Sequence, residues 1–515
     1  MARLNRESRI TVMITVQGCD VRTPLWSELN HVTKRIAAKD PSIWGEAARA
    51  EASIRLGWVD LPESSRDLLP TLDALSAWSR EIGHAHFILC GMGGSSLAPE
   101  VIAATYGKDL VVLDSTEPKQ VLAALECDLS KTCIIIGSKS GSTIETASHK
   151  ALFFERLQSA GLDPKNHMVI VTDPGSPLDK SSRSEGLRTI NANPNVGGRF
   201  SALSAFGLTP AALIGVDVSL LLDDAFDAAK EFTEDDSSVV RMAALLAQPE
   251  FAFVGFCDSG SPLPGLSDWI EQLIAESTGK DGRGVLPVVV ESADSRIQRV
   301  ITFDGTSEIS VSGPLGAQFI FWEWVTALLG YALKVDPFNQ PNVTESKERT
   351  MALLENWSSS DEAASYEDGK LAIYSPLKAS KLEEYIASFI DDSDGYIAIM
   401  AYLDRIGEKR LSDLRRDIER RSQRPTTFGW GPRFLHSTGQ FHKGGPQSGR
   451  FIQITSDSDV SCPIPGKDFG FERLIAAQAR GDLAALTSRG LPVLRIHLKD
   501  REAGITKLLE IASKF

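Results

Sequence analysis

Two short runs of small and hydroxylated residues could cradle an anion. Gly91-Met92-Gly93-Gly94-Ser95-Ser96 follows the apolar run 87–90, and Ser138-Lys139-Ser140-Gly141-Ser142-Thr143 follows 134–137. Each lies where a strand pattern gives way to a helical one. There, small residues let the backbone approach an anion closely, and free N–H groups and hydroxyls bind it with help from the helix dipole. The first run also fits an ordinary β–α turn. The second is the stronger signal, because four hydroxyls and one lysine are poor filler for a tight turn. Neither run contains G-x-x-x-x-G-K-[ST], so no nucleotide is implied.

The elements that must position these runs read as α/β. Residues 1–60 look like a helical lead-in, with spaced apolar residues over 26–37 and 43–56. Short apolar strands follow at 85–90, 110–113, 133–137 and 168–171, with helical stretches between them. That alternation predicts a parallel, doubly wound sheet. The acidic stretch 233–238 marks a boundary. A second α/β set begins near 251–256, continues through 285–290 and 300–303, and includes a long apolar helix over 317–333. Residues 356–369 are polar and acidic, as in a linker or exposed loop. A third unit has strands at 396–402, 451–455 and 492–497, and helices at 411–421 and 471–486. The expected division is 1–60, 61–232, 233–355 and 356–515. No repeat of solenoid period occurs.

Composition narrows the partners. The chain has 515 residues, 42% hydrophobic and 24% charged, which is an ordinary globular balance. A net charge of −14 argues against nucleic acid and against anionic membrane surfaces. It also means that an anionic substrate must be held by local positive charge and backbone donors. The six cysteines form no C-x-x-C pair and suit a reducing, cytoplasmic setting. No apolar run approaches the roughly 18 residues of a spanning helix, and no signal peptide is read at Met1–Arg6. His84 and His86 have no carboxylate close in sequence, so neither a metal nor another cofactor is expected.

Five segments resemble the phosphoglucose isomerase family, in family order. They are G-M-G-G-S-S-L-A-P (91–99), S-K-S-G-S-T-I-E-T (138–146), V-G-G-R-F-S-A-L-S-A-F-G (196–207), A-E-S-T-G-K (275–280) and N-Q-P-N-V-T-E-S-K (339–347). The stretch G-W-G-P-R-F-L-H-S-T-G-Q-F-H-K-G-G-P (429–446) is similar to one in the isomerase half of transaldolase–phosphoglucose isomerase fusion proteins. A transaldolase barrel of roughly 250 residues has no room before Gly91, so no transaldolase activity is expected. The resemblance implies two sugar isomerase (SIS-type) domains with parallel doubly wound sheets, here followed by a C-terminal α/β unit. It also implies a homodimer, a sugar phosphate substrate, and interconversion of glucose 6-phosphate and fructose 6-phosphate through a cis-enediol(ate).

The implied roles attach to particular residues. Glu276 is the expected base. It ends a helical run whose Trp269, Ile270, Leu273 and Ile274 share a face, and a carboxylate near a helix C-terminus is electrostatically disfavoured. Arg199 follows two glycines and would stabilise the enediolate. Lys347 lies seven residues after Gln340, about two helical turns, so both can face one site. In the family this lysine assists proton transfer at the ring oxygen, and the glutamine lies near the substrate. Ser138, Ser140 and Thr143 are expected to hold the phosphate, with Lys139 acting through its N–H and charge. Gly94 and Ser95 face the sugar, and Glu145 supports.

One departure matters. The family's ring-opening histidine falls between the Glu and Lys motifs, and this chain has no histidine between Glu276 and Lys347. Gln318 stands near the corresponding position. His436 and His442 are candidates to replace it, with His436 preferred; the rivals are a packing role for both, or ring opening by Lys347 alone. Two other functions remain open at this point. One is a non-catalytic sugar-phosphate-binding regulator. The other is an isomerase of another hexose phosphate, such as mannose 6-phosphate.

Overall fold

A computed structural model of the chain describes residues 14–20, 22–295, 297–357 and 363–515. The reading of Met1–Arg6 and the middle of the 356–369 stretch lie outside them. Three sheets organise the molecule. The first is parallel throughout, in the order Val111–Leu113, His86–Gly91, Thr132–Gly137, Met168–Thr172, Arg188–Asn191. Its central strands are buried along their whole length, which is why they read as unbroken apolar runs rather than alternating ones. The edge strand Arg188–Asn191 has only Ile190 fully buried, so it left no such run to read.

The second sheet runs Thr15–Gln17, Ile309–Ser312, Arg299–Thr302, Phe253–Cys257, Leu286–Val289. Thr15–Gln17 pairs antiparallel with Ile309–Ser312, and the other pairings are parallel. The lead-in therefore contributes a strand as well as helices. Helix Leu315–Leu333 is apolar on every side, as a helix enclosed by other elements must be. Trp269 of helix Leu266–Thr278 meets its Phe319 edge-on, with ring centroids 4.8 Å apart. Such a pair adds about 1 kcal/mol beyond the area it buries.

The third sheet runs Tyr366–Glu367, Leu371–Tyr374, Val493–Leu498, Gly449–Ser456, Tyr396–Ala401, Thr426–Trp430. The first two pairings are antiparallel and the rest are parallel. The protein is thus an α/β molecule built on largely parallel sheets. Among the described residues, no helix is long and apolar enough to cross a membrane.

An ion network ties the third unit to the first. Arg433 donates to Asp114 and Glu100, both at 2.5 Å, and Arg405 donates to Glu100 at 2.7 Å. Burial pushes the Glu100 carboxyl up, but the two guanidinium charges outweigh it and hold the group at about 2. Removing one member of such a buried network leaves an uncompensated charge, at a cost of about 3–5 kcal/mol. Arg433 opens the one-turn helix Arg433–His436, so this contact also sets where His436 lies.

Candidate active site

In the first sheet, strand order reverses between His86–Gly91 and Thr132–Gly137. A crevice opens outside the carboxyl ends of the strands at such a reversal, and ligands of doubly wound sheets bind there. The two hydroxyl-rich loops follow these two strands, and both line a cavity of about 560 Å³. Met92, Gly93, Gly94 and Ser95 form one wall, and Ser138, Lys139, Ser140 and Thr143 another.

The second loop meets the needs of an anion. Thr143 is the N-cap of helix Ile144–Ser159, but its side chain does not cap the helix; its hydroxyl instead accepts from Ser138 at 3.3 Å. The first N–H groups of that long helix are thus left for a ligand. Gly141 has φ +69°, and a Cβ there would press on Leu178, so the loop's turn needs glycine. Lys139 is not free to offer its whole charge. Its ammonium donates to Asp173 at 2.5 Å, which leaves its N–H and a partly balanced charge for the cavity.

Gly94 is required for a different reason. A Cβ at Gly94 would run into the carbonyl of Gly198, where the first loop packs on the turn Gly198–Phe200 that carries Arg199. Gly94→Ala should therefore separate the two loops, destabilise the fold by about 1–3 kcal/mol and raise KM. Denaturant titration and steady-state kinetics check this, and an unchanged midpoint and KM would show that the loops are not in such contact.

Glu276 and Arg199 meet inside the same cavity. Arg199 Nη1 lies 3.2 Å from Glu276 Oε1, and both side chains are nearly enclosed. Arg199 is fixed on every side. It donates to Ser277 Oγ at 2.7 Å, to Gln340 Oε1 at 2.6 Å, and to the carbonyls of Pro337 and Asn339 at 2.5 and 3.0 Å. Burial lowers its pKa, opposed by the charges of Glu276 and Asp336. Gln340 precedes helix Pro341–Glu355 at its N-cap position without a side-chain cap, and Lys347 on that helix also lines the cavity.

His436 completes the ring of groups. It lines the cavity, and its Nε2 lies 3.1 Å from Glu145 Oε1. Glu145 stands behind it and does not line the cavity. Gln478 donates to the same carboxylate oxygen at 2.7 Å. Burial pushes the Glu145 carboxyl up, but His436, the helix backbone and Lys347 outweigh it and hold it at about 2.

His442 and Gln318, the residue near the family histidine's position, lie outside the cavity. His442 is enclosed between Tyr396 and Phe451, with Nδ1 2.9 Å from the Tyr396 hydroxyl, and it does not line the cavity. Burial and the Lys443 charge push it down to about 3, so it is a neutral packing residue. Gln318 is buried among apolar neighbours, donating to the Val311 carbonyl and accepting from Trp322, both at 3.0 Å.

Other lining residues were not anticipated. Gln272, one helical turn before Glu276, donates to Glu276 Oε2 at 3.1 Å and to the His436 carbonyl at 2.8 Å. The i, i+4 spacing on helix Leu266–Thr278 was the available signal. Glu51 and Arg55 arrive from the lead-in helix Glu46–Arg55 and carried no signal in the sequence.

The phosphoglucose isomerase family model matches residues 67–283. A glucose-6-phosphate isomerase of Thermus thermophilus is 35% identical over 282 residues, covering 52% of this chain and 62% of the relative. The chain thus spans less than two thirds of that relative's length. One from Mycoplasmopsis pulmonis is 28% identical and covers 58% of this chain and 90% of the relative. A solved hypothetical protein from Thermus thermophilus superposes with TM-score 0.57 at 26% identity, covering 66% of this chain and all of that one. A glucose-6-phosphate isomerase from Chlamydia trachomatis shares the fold, with TM-score 0.53 at 18% identity, covering 65% of this chain and 85% of that one. Both loops, Arg199 and Glu276 lie inside the segment, residues 67–283, that matches the phosphoglucose isomerase family model.

Proposed function

We propose that the protein interconverts glucose 6-phosphate and fructose 6-phosphate. The observation that carries this reading is one cavity shared by Glu276, its Arg199 partner at 3.2 Å, and the 138–143 loop. The loop hydroxyls and the helix N–H groups hold the phosphate, which fixes the sugar chain across the cavity. His436, held by Glu145, gives a proton to the ring oxygen as the C1–O5 bond breaks, and the proton released by the C1 hydroxyl returns to the histidine as the C1 carbonyl forms. Lys347 lies on the same cavity to assist. The Glu276 carboxylate then takes the proton from C2 of the open aldose, leaving an enediolate whose oxygen charge faces the Arg199 guanidinium. Returning that proton to C1, with proton exchange between O1 and O2, gives the ketose. Gln272 holds the base against the His436 segment, so the two proton-transfer groups keep one spacing.

Division of the chain at residues 60, 232 and 355 is part of the same reading, supported by one sheet for each later segment, the second of which also takes in Thr15–Gln17 of the lead-in. So are a homodimer and a cytoplasmic location, the latter supported by free, mostly buried cysteines. The experiment is a turnover assay with fructose 6-phosphate beside mannose 6-phosphate. Rapid turnover of the first and slow turnover of the second is expected. Binding of both without turnover would replace the enzyme with a sugar-phosphate sensor.

A further inference from the structure

Asp114, Ser115 and Thr116 follow the edge strand Val111–Leu113, and all three are buried although polar. Buried polar groups need partners. Each of these residues has one that leads to His436. Asp114 accepts from Arg433, which opens the turn carrying the histidine. The Ser115 carbonyl accepts from His149 Nε2 at 2.9 Å, and His149 lies one helical turn after Glu145. Thr116 Oγ1 lies 2.6 Å from Oε1 of Gln478, on helix Phe471–Thr487.

Thr116, Gln478 and Glu145 form a hydrogen-bonded chain whose direction is fixed. Glu145 is the second residue of helix Ile144–Ser159, where the helix dipole favours a carboxylate. A carboxylate only accepts, so the group 2.7 Å from its Oε1 must be the Gln478 N–H and not the amide oxygen. Gln478 Oε1 then faces Thr116, and the Thr116 hydroxyl must donate. His436 Nε2, 3.1 Å from the same Glu145 oxygen, must likewise carry hydrogen. Thr116 is 0%, Gln478 2% and Glu145 4% exposed, so water does not compete for these bonds. His436 Nδ1 has no hydrogen-bond partner among the described residues, and the ring lines the cavity. Nδ1 is therefore the nitrogen left for the sugar.

Resting on the isomerase reading, we propose that Gln478 and Thr116 are positioning residues for His436. They hold Glu145 so that the imidazole keeps its Nε2–H and presents Nδ1 to the ring oxygen. The imidazolium gives its Nδ1 proton to O5 as the C1–O5 bond breaks. The bare Nδ1 then takes the C1 hydroxyl proton as the carbonyl forms. Nε2–H stays with Glu145 throughout, so no proton passes along the chain to Gln478 or Thr116. The C-terminal unit thus supplies both the histidine and the helix that orients it.

Two readouts test this. The first is nitrogen NMR of isotopically labelled histidine, with the His436 signal identified by its loss in His436→Asn. The neutral wild-type ring should be protonated on Nε2, and Gln478→Leu should raise the Nδ1–H fraction. The second is kinetics. Gln478→Leu should slow cyclic glucose 6-phosphate about tenfold in kcat, with KM and an open-chain analogue little changed. Thr116→Val keeps the side-chain shape but cannot donate, so about three- to tenfold slowing is expected, and Thr116→Ser should restore the rate. Should Gln478→Leu fail to fold by circular dichroism, the Thr116 pair carries the test. A wild-type ring protonated on Nδ1, equal slowing of cyclic and open-chain substrates, or Thr116→Ser as slow as Thr116→Val would overturn the proposal. So would wild-type kinetics in both Gln478→Leu and Thr116→Val. Binding of sugar phosphate without turnover by the wild type would instead end the isomerase reading, and the histidine signal alone would then decide whether Gln478 and Thr116 orient the ring.

Discussion

Glu276→Gln is expected to lower kcat by about 10³–10⁴-fold while KM changes little, the signature of losing a proton acceptor rather than a binding contact. The amide keeps the shape of the carboxylate and its hydrogen bond with Gln272, so the cavity retains its form. What disappears is the lone pair that accepts the C2 proton, and with it exchange of that proton with solvent. Arg199 also loses its 3.2 Å counter-charge while remaining enclosed. Stability should therefore fall measurably, because a buried cation without its partner is costly. A melting curve separates that loss from the chemical one. Solvent-hydrogen incorporation at C2, followed by mass spectrometry, reads the chemical step directly. Turnover and exchange at wild-type rates would remove Glu276 from the proton path.

His436→Ala should slow reaction of the cyclic sugar phosphate by about 10²-fold and leave an open-chain analogue nearly unaffected. Only the cyclic form needs a proton at its ring oxygen, and the proposed mechanism takes that proton from His436. It lines the cavity, its Nε2 is held at 3.1 Å from Glu145, and Gln478 fixes that carboxylate from the other side. Glu145→Gln should give a milder form of the same split. The pH dependence follows from Glu145, whose folded value of about 2 lies below its ordinary 4.5. A carboxyl depressed on folding contributes stability that is present above the ordinary value and lost as pH falls through the folded one. Glu145 therefore stays a carboxylate at every pH above about 4.5, and an acid limb seen above that pH belongs to another group. Equal slowing of cyclic and open-chain substrates would assign His436 to packing alone.

How much of this was legible in the sequence depended on whether a residue's role was local. The loops at 91–96 and 138–143 could be read because a strand, a run of small residues and a helix follow one another along the chain. Glu276, Arg199, Gln340 and Lys347 came from motif resemblance, and the cavity brings them together. Residues whose work is tertiary were opaque. Lys139 reads as acting through its N–H and charge, and nothing in the sequence signals that Asp173 pairs with that charge. His442 lay in the same glycine-rich stretch as His436, and only the packing of Tyr396 and Phe451 distinguishes them. Thr15–Gln17, Arg188–Asn191 and Thr426–Trp430 escaped as strands for a related reason. They are short or lie at sheet edges, where partners rather than periodicity fix the conformation.

The ion network of Arg433 and Arg405 with Glu100 and Asp114 bears on how the molecule matures. During synthesis the first sheet and its phosphate crevice emerge and fold well before the last unit exists. Until that unit seats itself on Glu100 and Asp114, the nascent chain would, on the proposed reading, hold the base and the phosphate anchor but not His436. Competence would then arrive in one late step, when the last unit closes onto the first-formed one.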